Sequence, residues 1–115
     1  VYARQHVSRS VAANADHSTL ARCIEVTSWI RPIGYLAQWR AMAGANIFEE
    51  IADNPCPATV VGGAEDKTAT QDVVRRIANA ISGARLAELP DVGHMIYIEA
   101  PERFNGVLED HLAGL

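Results

Sequence analysis

A five-residue run, Ala58-Thr59-Val60-Val61-Gly62, constrains the fold of this chain more than any other stretch. It is short and β-branched, and it carries no charged residue. Such a run suits a parallel strand covered on both faces. The stretch Asp53-Asn54-Pro55-Cys56-Pro57 in front of it stops helix formation and marks a boundary. The polar loop Gly63 to Thr68 follows. Thr68 and Gln71 then stand at capping-box spacing, opening a helix with Val73, Val74, Ile77 and Ile81 on one face and Gly83 at its end. Arg85 to Leu89 reads as a second strand, and Pro90 to His94 as the loop after it. A last helix starts at Pro101 and buries Phe104, Val107, Leu108 and Leu112, with Gly114 closing it. The order strand, helix, strand, helix predicts a right-handed βαβ crossover plus one helix. Two strands alone would both be edges, and a strand apolar on both faces makes a poor edge. The segment therefore reads as the end of a larger sheet.

The first fifty residues have a helical period instead. Leu20, Cys23, Ile24, Thr27 and Ile30 form one stripe, with Asp16 or Ser18 to cap it and Pro32 and Gly34 to break it. A second helix is expected from about Tyr35 to Ala43, with Leu36, Trp39 and Ala43 on one face. Asn46 and Glu49 suggest a third, short helix through Ile51. The division expected is a helical cap segment over residues 1–54 and a β-α-β-α core over residues 55–115.

Composition narrows the function classes. The formal charge is −4, and Arg4, Arg9, Arg22, Arg31 and Arg40 are scattered rather than clustered. Phosphate binding needs clustered positive charge, so no nucleic-acid partner is expected. No apolar stretch approaches the roughly 20 residues that span a bilayer, so no membrane partner is expected either. Cys23 and Cys56 lie far apart, with no CxxC and no His at ligand spacing. They read as buried or half-buried free thiols in a reducing, cytoplasmic setting, and no metal or cofactor is called for. The first residue is Val1, not Met, which suggests that residues preceded it.

Asp66 falls in the loop just after the first strand, and His94 in the loop just after the second. In open α/β sheets ligands bind beyond the carboxyl ends of the strands. Parallel neighbours lie about 4.8 Å apart, so the two side chains can come within hydrogen-bond reach. An acid that accepts a hydrogen bond from His fixes its tautomer and stabilises the imidazolium. Asp66 and His94 therefore form the acid–base half of a nucleophilic triad, with Glu65 as the competing acid. His6, His17 and His111 read as exposed residues. Glu99 and Pro101 read as setting up the final helix.

These stretches carry a resemblance. Cys56 to Asp66, a proline, an apolar strand and then Gly63-x-x-Asp66, resembles the late strand and acid loop of the α/β-hydrolases. Val92-Gly93-His94-Met95 followed by Glu99-Ala100-Pro101-Glu102-Arg103-Phe104 resembles their His loop and final helix. The 28-residue separation of Asp66 and His94 also suits that family. The resemblance implies an α/β fold, the C-terminal part of an α/β-hydrolase sheet preceded by a helical cap. Gly34 to Ala41 and the short link to Cys56-Pro57 resemble 3-oxoadipate enol-lactonases. That implies a cofactor-independent serine hydrolase acting on a small ester or lactone. Arg31 or Arg40 could pair with a substrate carboxylate, the competing reading of each being a solvated cap-helix arginine.

The departure from the pattern is as informative. No Gly-x-Ser-x-Gly occurs, and the loop that supplies the oxyanion hole is absent. Ser82, for example, is flanked at the glycine positions by Ala80 and Ala84. The expectation is a base and its orienter whose serine lies outside this chain, inactive alone. The chain would then self-associate or pair with one carrying the other half. The alternative is a non-catalytic hydrolase remnant, an interaction module with an exposed sheet edge. Substrate-binding residues are not legible.

Overall fold

In the computed structural model, which describes residues 2–115, seven helices and two strands are arranged as α1 (Tyr2–Ser10), α2 (His17–Ser28), α3 (Pro32–Gly44), α4 (Phe48–Ala52), β1 (Thr59–Gly63), α5 (Gln71–Ala80), β2 (Arg85–Leu89), α6 (Ile96–Glu99) and α7 (Pro101–Ala113). The two strands are parallel and in register from Thr59 beside Arg85 to Gly63 beside Leu89. α5 makes the crossover between them. Among the described residues each strand pairs only with the other, so both have an open edge.

The sheet ends and the last helix fall where the sequence puts them. β1 is shifted one residue toward Gly63, and α7 begins on Pro101, whose missing N–H costs nothing in a first turn. The capping boxes fail. α5 starts at Gln71 with Thr70 as its cap residue, because the Thr68 N–H is already taken by the Asp66 carboxylate. α4 is flanked by Ile47 rather than Asn46, with no side-chain cap. α5 stops at Ala80, so Ile81 lies just outside it. Gly83 then takes a left-handed conformation (φ +73°) in the turn into β2.

α2 ends before Pro32, as expected, but Pro32 opens α3 instead of lying in the break, with Arg31 in extended conformation before it. Gly34 consequently lies inside that helix. α3 buries no residue, and Leu36 and Trp39 are exposed. Tyr35 meets Trp39 edge-on, with 6.0 Å between ring centroids. α2 keeps its expected stripe: Asp16 caps it through the Thr19 N–H, Cys23 and Thr27 are buried, and Leu20 and Ile24 pack beside them. Ile30 falls beyond the helix end and is exposed. Cys56 is exposed, contrary to the expectation for both thiols, because it sits in the turn before β1.

Two small cores meet at the loop after β2. One is Val7, Val11 and Cys23, with Met95 and Ile98 packed on it; the other is Leu89, Val92 and Ala100, backed by Val61, Ile96 and Val107. Val92 is fully buried, a gain on the order of 2 kcal/mol for a side chain of this size. The far end of the α7 stripe has nothing to cover it, so Leu108 and Leu112 are exposed. The described helices include none long and apolar enough to cross a membrane.

Candidate active site

β1 ends in Gly63 because the next loop passes directly over it. A Cβ there would collide with the carbonyl oxygens of Val92 and Gly93. The two loops are also stitched by backbone bonds, Ala64 N–H to Leu89 O at 2.9 Å and Glu65 N–H to Val92 O at 2.8 Å. Parallel pairing thus delivers Asp66 and His94 to the same end of the sheet, as expected from their places after each strand.

Asp66 is buried, its side chain only 4% exposed. One carboxylate oxygen, Oδ1, accepts hydrogen bonds from the N–H groups of Thr68 (2.7 Å) and Ala69 (3.0 Å). These fix the carboxylate plane and leave Oδ2 to face His94 Nδ1 at 2.8 Å. An ionised carboxylate only accepts, so Nδ1 carries the proton and donates it. In the neutral ring Nε2 is then the basic nitrogen. The imidazole is 41% exposed, so its outer edge is reachable. The competing acid, Glu65, is turned elsewhere: its Oε2 accepts from the Ala13 N–H at 2.9 Å.

The His loop is held from several sides. Asp91, at φ 57°, makes the left-handed step that Asp tolerates better than most residues. Arg103, on α7, donates to Pro90 O at 2.7 Å. The His94 N–H itself donates to Ser10 O at 2.6 Å. The end of α1 therefore reaches this loop, a contact that no period or motif in the sequence announced. Glu99 is the second feature missed. It does more than set up the final helix: its carboxylate gathers the N–H groups of Ala12, Gly93 and Met95. A glutamate five residues after a Gly-His pair was the available signal.

The remaining expected residues stay apart from the pair. Arg31, just before α3, and Arg40, on α3, are both exposed. His111 lies near Thr59, with 3.0 Å between Nδ1 and Oγ1. A cavity of about 510 Å³, lined by Thr27, Ile30, Pro32, Tyr35 and Leu36 among others, lies between α2 and α3. Among the described residues, no three His, Cys, Asp or Glu side chains converge as a metal ion would require.

Comparison with known proteins agrees with this architecture. Residues 4–107 match the Alpha/beta hydrolase family. The enol-lactonase of Burkholderia xenovorans superposes with a TM-score of 0.87 at 30% identity, over 97% of this chain and 44% of that one. A thermophilic esterase from Thermogutta terrifontis superposes with a TM-score of 0.89 at 20% identity, over 98% of this chain and 43% of that one. RutD of Klebsiella pneumoniae, provisionally named a carbamate hydrolase, is 26% identical over 80 residues, 70% of this chain and 30% of its own length. The chain thus spans less than half the length of these relatives. By its family match, its fold and the loops that carry Asp66 and His94, the chain belongs to the alpha/beta hydrolase family.

Proposed function

We propose that this chain contributes the acid and base of a serine hydrolase that opens a small ester or lactone, the serine being supplied from outside these 115 residues. The contact of His94 Nδ1 with Asp66 Oδ2, with the other carboxylate oxygen pinned by two backbone N–H groups, carries this reading. His94 Nε2 takes the proton of the serine hydroxyl as it attacks the substrate carbonyl, then returns it to the leaving oxygen. Asp66 holds the ring in the tautomer this requires and stabilises its charged form. The likeness to an enol-lactonase supports a lactone or ester substrate, including an enol-lactone such as that of 3-oxoadipate.

A chimaera tests the reading. This chain replaces the segment it matches in the Burkholderia xenovorans enol-lactonase, and hydrolysis of p-nitrophenyl acetate and of an enol-lactone is followed. The folded chimaera should turn over, with His94→Ala and Asp66→Asn each lowering kcat by about a thousandfold or more. Turnover that survives His94→Ala, or a folded chimaera without activity on either substrate, refutes it. The isolated chain should not exceed the background of free imidazole.

A further inference from the structure

Three consecutive backbone N–H groups, those of Gly93, His94 and Met95, are each spoken for by groups outside the loop. Glu99 Oε2 accepts from Gly93 at 3.0 Å, and Glu99 Oε1 accepts from Met95 at 2.9 Å. Between them, the His94 N–H donates to Ser10 O. The same Glu99 Oε2 accepts from the Ala12 N–H at 2.7 Å. One carboxylate thus holds the 92–93 and 94–95 peptides, on either side of the 93–94 peptide that Ser10 O holds, and ties the loop to residues 10–13. That short strap is secured further by Ala13 N–H to Glu65, by the Ser10 hydroxyl to His6 O, and by the burial of Val7 and Val11. The fit is close, since a Cβ on Gly93 would lie 2.5 Å from Ser10 O and 2.6 Å from Ala12 N.

We propose that Glu99 is a positioning residue for His94: it clamps the strap of residues 10–13 against the His loop and so fixes the direction in which the imidazole leaves the backbone. This rests on the proposed role of His94 as the base. Glu99 does not touch the ring. It acts directly through the 94–95 peptide, and through the 92–93 peptide and the clamped strap whose Ser10 O holds the 93–94 peptide; together these set where the His94 Cα–Cβ bond points, while Asp66 sets the rotation of the ring about it. Two oxygens serve three donors, which a carboxylate can do and an amide cannot. Glu99→Gln keeps the shape of the side chain but turns an NH2 group toward at least one N–H, leaving a donor facing a donor. The charge of Glu99 also reaches into the adjoining core: the Cys23 thiol is pushed up to about 11, by burial first and by the Glu99 carboxylate second.

The test uses the full 115-residue chain, in the association state that light scattering records, with hydrogen exchange resolved to single amides. The Ala12, Gly93 and Met95 amides should exchange about 10- to 100-fold more slowly than open amides, as hydrogen bonds to a charged acceptor predict. Glu99→Gln should accelerate all three by about tenfold and leave the α5 amides unchanged. It should also move the His94 Nδ1 proton resonance upfield, toward that of a free imidazole; a merely structural glutamate would leave that signal in place. If Glu99→Gln also strips protection from α5, the wild-type rates decide. Slow, matched exchange at positions 12, 93 and 95 supports the clamp, and open or unrelated rates overturn it. An Nδ1 resonance unmoved in a folded Glu99→Gln chain also overturns it. Because none of these readouts involves turnover, an inactive chimaera with an intact exchange pattern would reject the hydrolase reading and leave the clamp standing.

Discussion

Gly93→Ala is the sharpest perturbation of the site that leaves Asp66, His94 and Glu99 themselves in place. The new Cβ would sit 2.5 Å from Ser10 O, 2.6 Å from Ala12 N and 2.7 Å from the Val11 carbonyl carbon. All three are backbone atoms, so no side chain can swing aside. Contacts under 3.0 Å are essentially never seen for a real Cβ, and ordinary contact begins at 3.4 Å. The loop and strap must therefore part by about 0.5 to 0.9 Å, from the gap between 2.5 Å and those two distances. The strap cannot easily give way, because Val7 and Val11 anchor it in the core. The His loop moves instead. Carried over to the His94–Asp66 contact of 2.8 Å, that shift lengthens it to about 3.3–3.7 Å, past the range of a useful hydrogen bond.

Overpacking of this kind costs about 1–3 kcal/mol in stability. A base displaced by nearly 1 Å costs on the order of a hundredfold in rate. The assay is kcat for p-nitrophenyl acetate in the chimaera, with the urea midpoint of the same sample. Gly62→Ala is the matched control. Its Cβ meets the Val74 methyls at 2.8 and 3.0 Å, side-chain atoms on α5 at the opposite side of β1 from the His loop's close approach, so stability should fall with kcat within about threefold of wild type. A Gly93→Ala chimaera with wild-type kcat and an unmoved Nδ1 resonance would refute the reasoning, since the loop would have found room that the backbone does not offer.

Cys56, exposed, should react quickly with a thiol reagent, whereas fully buried Cys23 should react only as the chain opens; equal rates in a folded sample would contradict the core around Val7. The raised Cys23 pKa means that folding favours the protonated thiol. Its contribution to stability should be complete below about pH 9 and lost as the pH rises toward 11, a loss that Cys23→Ala should not show in denaturant titrations. Asp16 is held below the ordinary carboxylate range by the Thr19 N–H first and then by Ser18. Its contribution is present above the unfolded value of 3.8 and fades as the pH falls through the lower folded one, so Asp16→Asn should flatten the acid end of a helicity titration.

What the sequence made legible was whatever depends on local pattern. The parallel pairing of β1 with β2, the Pro101 start of α7 and the placement of Asp66 and His94 one loop after each strand follow from residue type and spacing; full cover of β1 on both faces does not, since Thr59, Val60 and Val61 are only half-buried in a sheet of two strands. The capping boxes misled because a capping signal competes with every other acceptor nearby. Asp66 claims the Thr68 and Ala69 N–H groups, so the helix starts two residues later than the box implies. Pro32 marked the break after α2 correctly but hid the start of α3, because a proline at a first turn begins a helix as readily as it ends one. The clamp was out of reach altogether. Ala12 and Glu99 are 87 residues apart, and a backbone N–H has no signature in the sequence.

The chain leaves more surface open than a folded monomer of its size. A folded monomer of 12.4 kDa is expected to expose roughly 6,100 Å². The chain exposes 8007 Å², an excess of about 1,900 Å² over that scaling. Its radius of gyration, 15.3 Å, likewise exceeds the roughly 13.3 Å expected of 115 residues. A standard protein–protein interface takes only about 800 Å² from each partner, so the excess is more than two such faces. It is also of the wrong character for solvent. Leu86, Leu108, Leu112, Ile33, Leu36 and Met42 are all exposed, and β1 and β2 each present an open ladder. Apolar surface on this scale is covered by something in a stable molecule. The expected outcome for the isolated chain is self-association. Its mass by light scattering should exceed 12.4 kDa and rise with concentration at micromolar levels, with strong ANS binding. In the chimaera, where a half-sheet and its helices are restored, both should disappear. A monodisperse 12.4 kDa monomer that unfolds in one sharp urea transition and ignores ANS would mean that these two small cores suffice. The open edges would then be tolerated as they stand, and the chain would have to be reckoned an independent module rather than part of a hydrolase sheet.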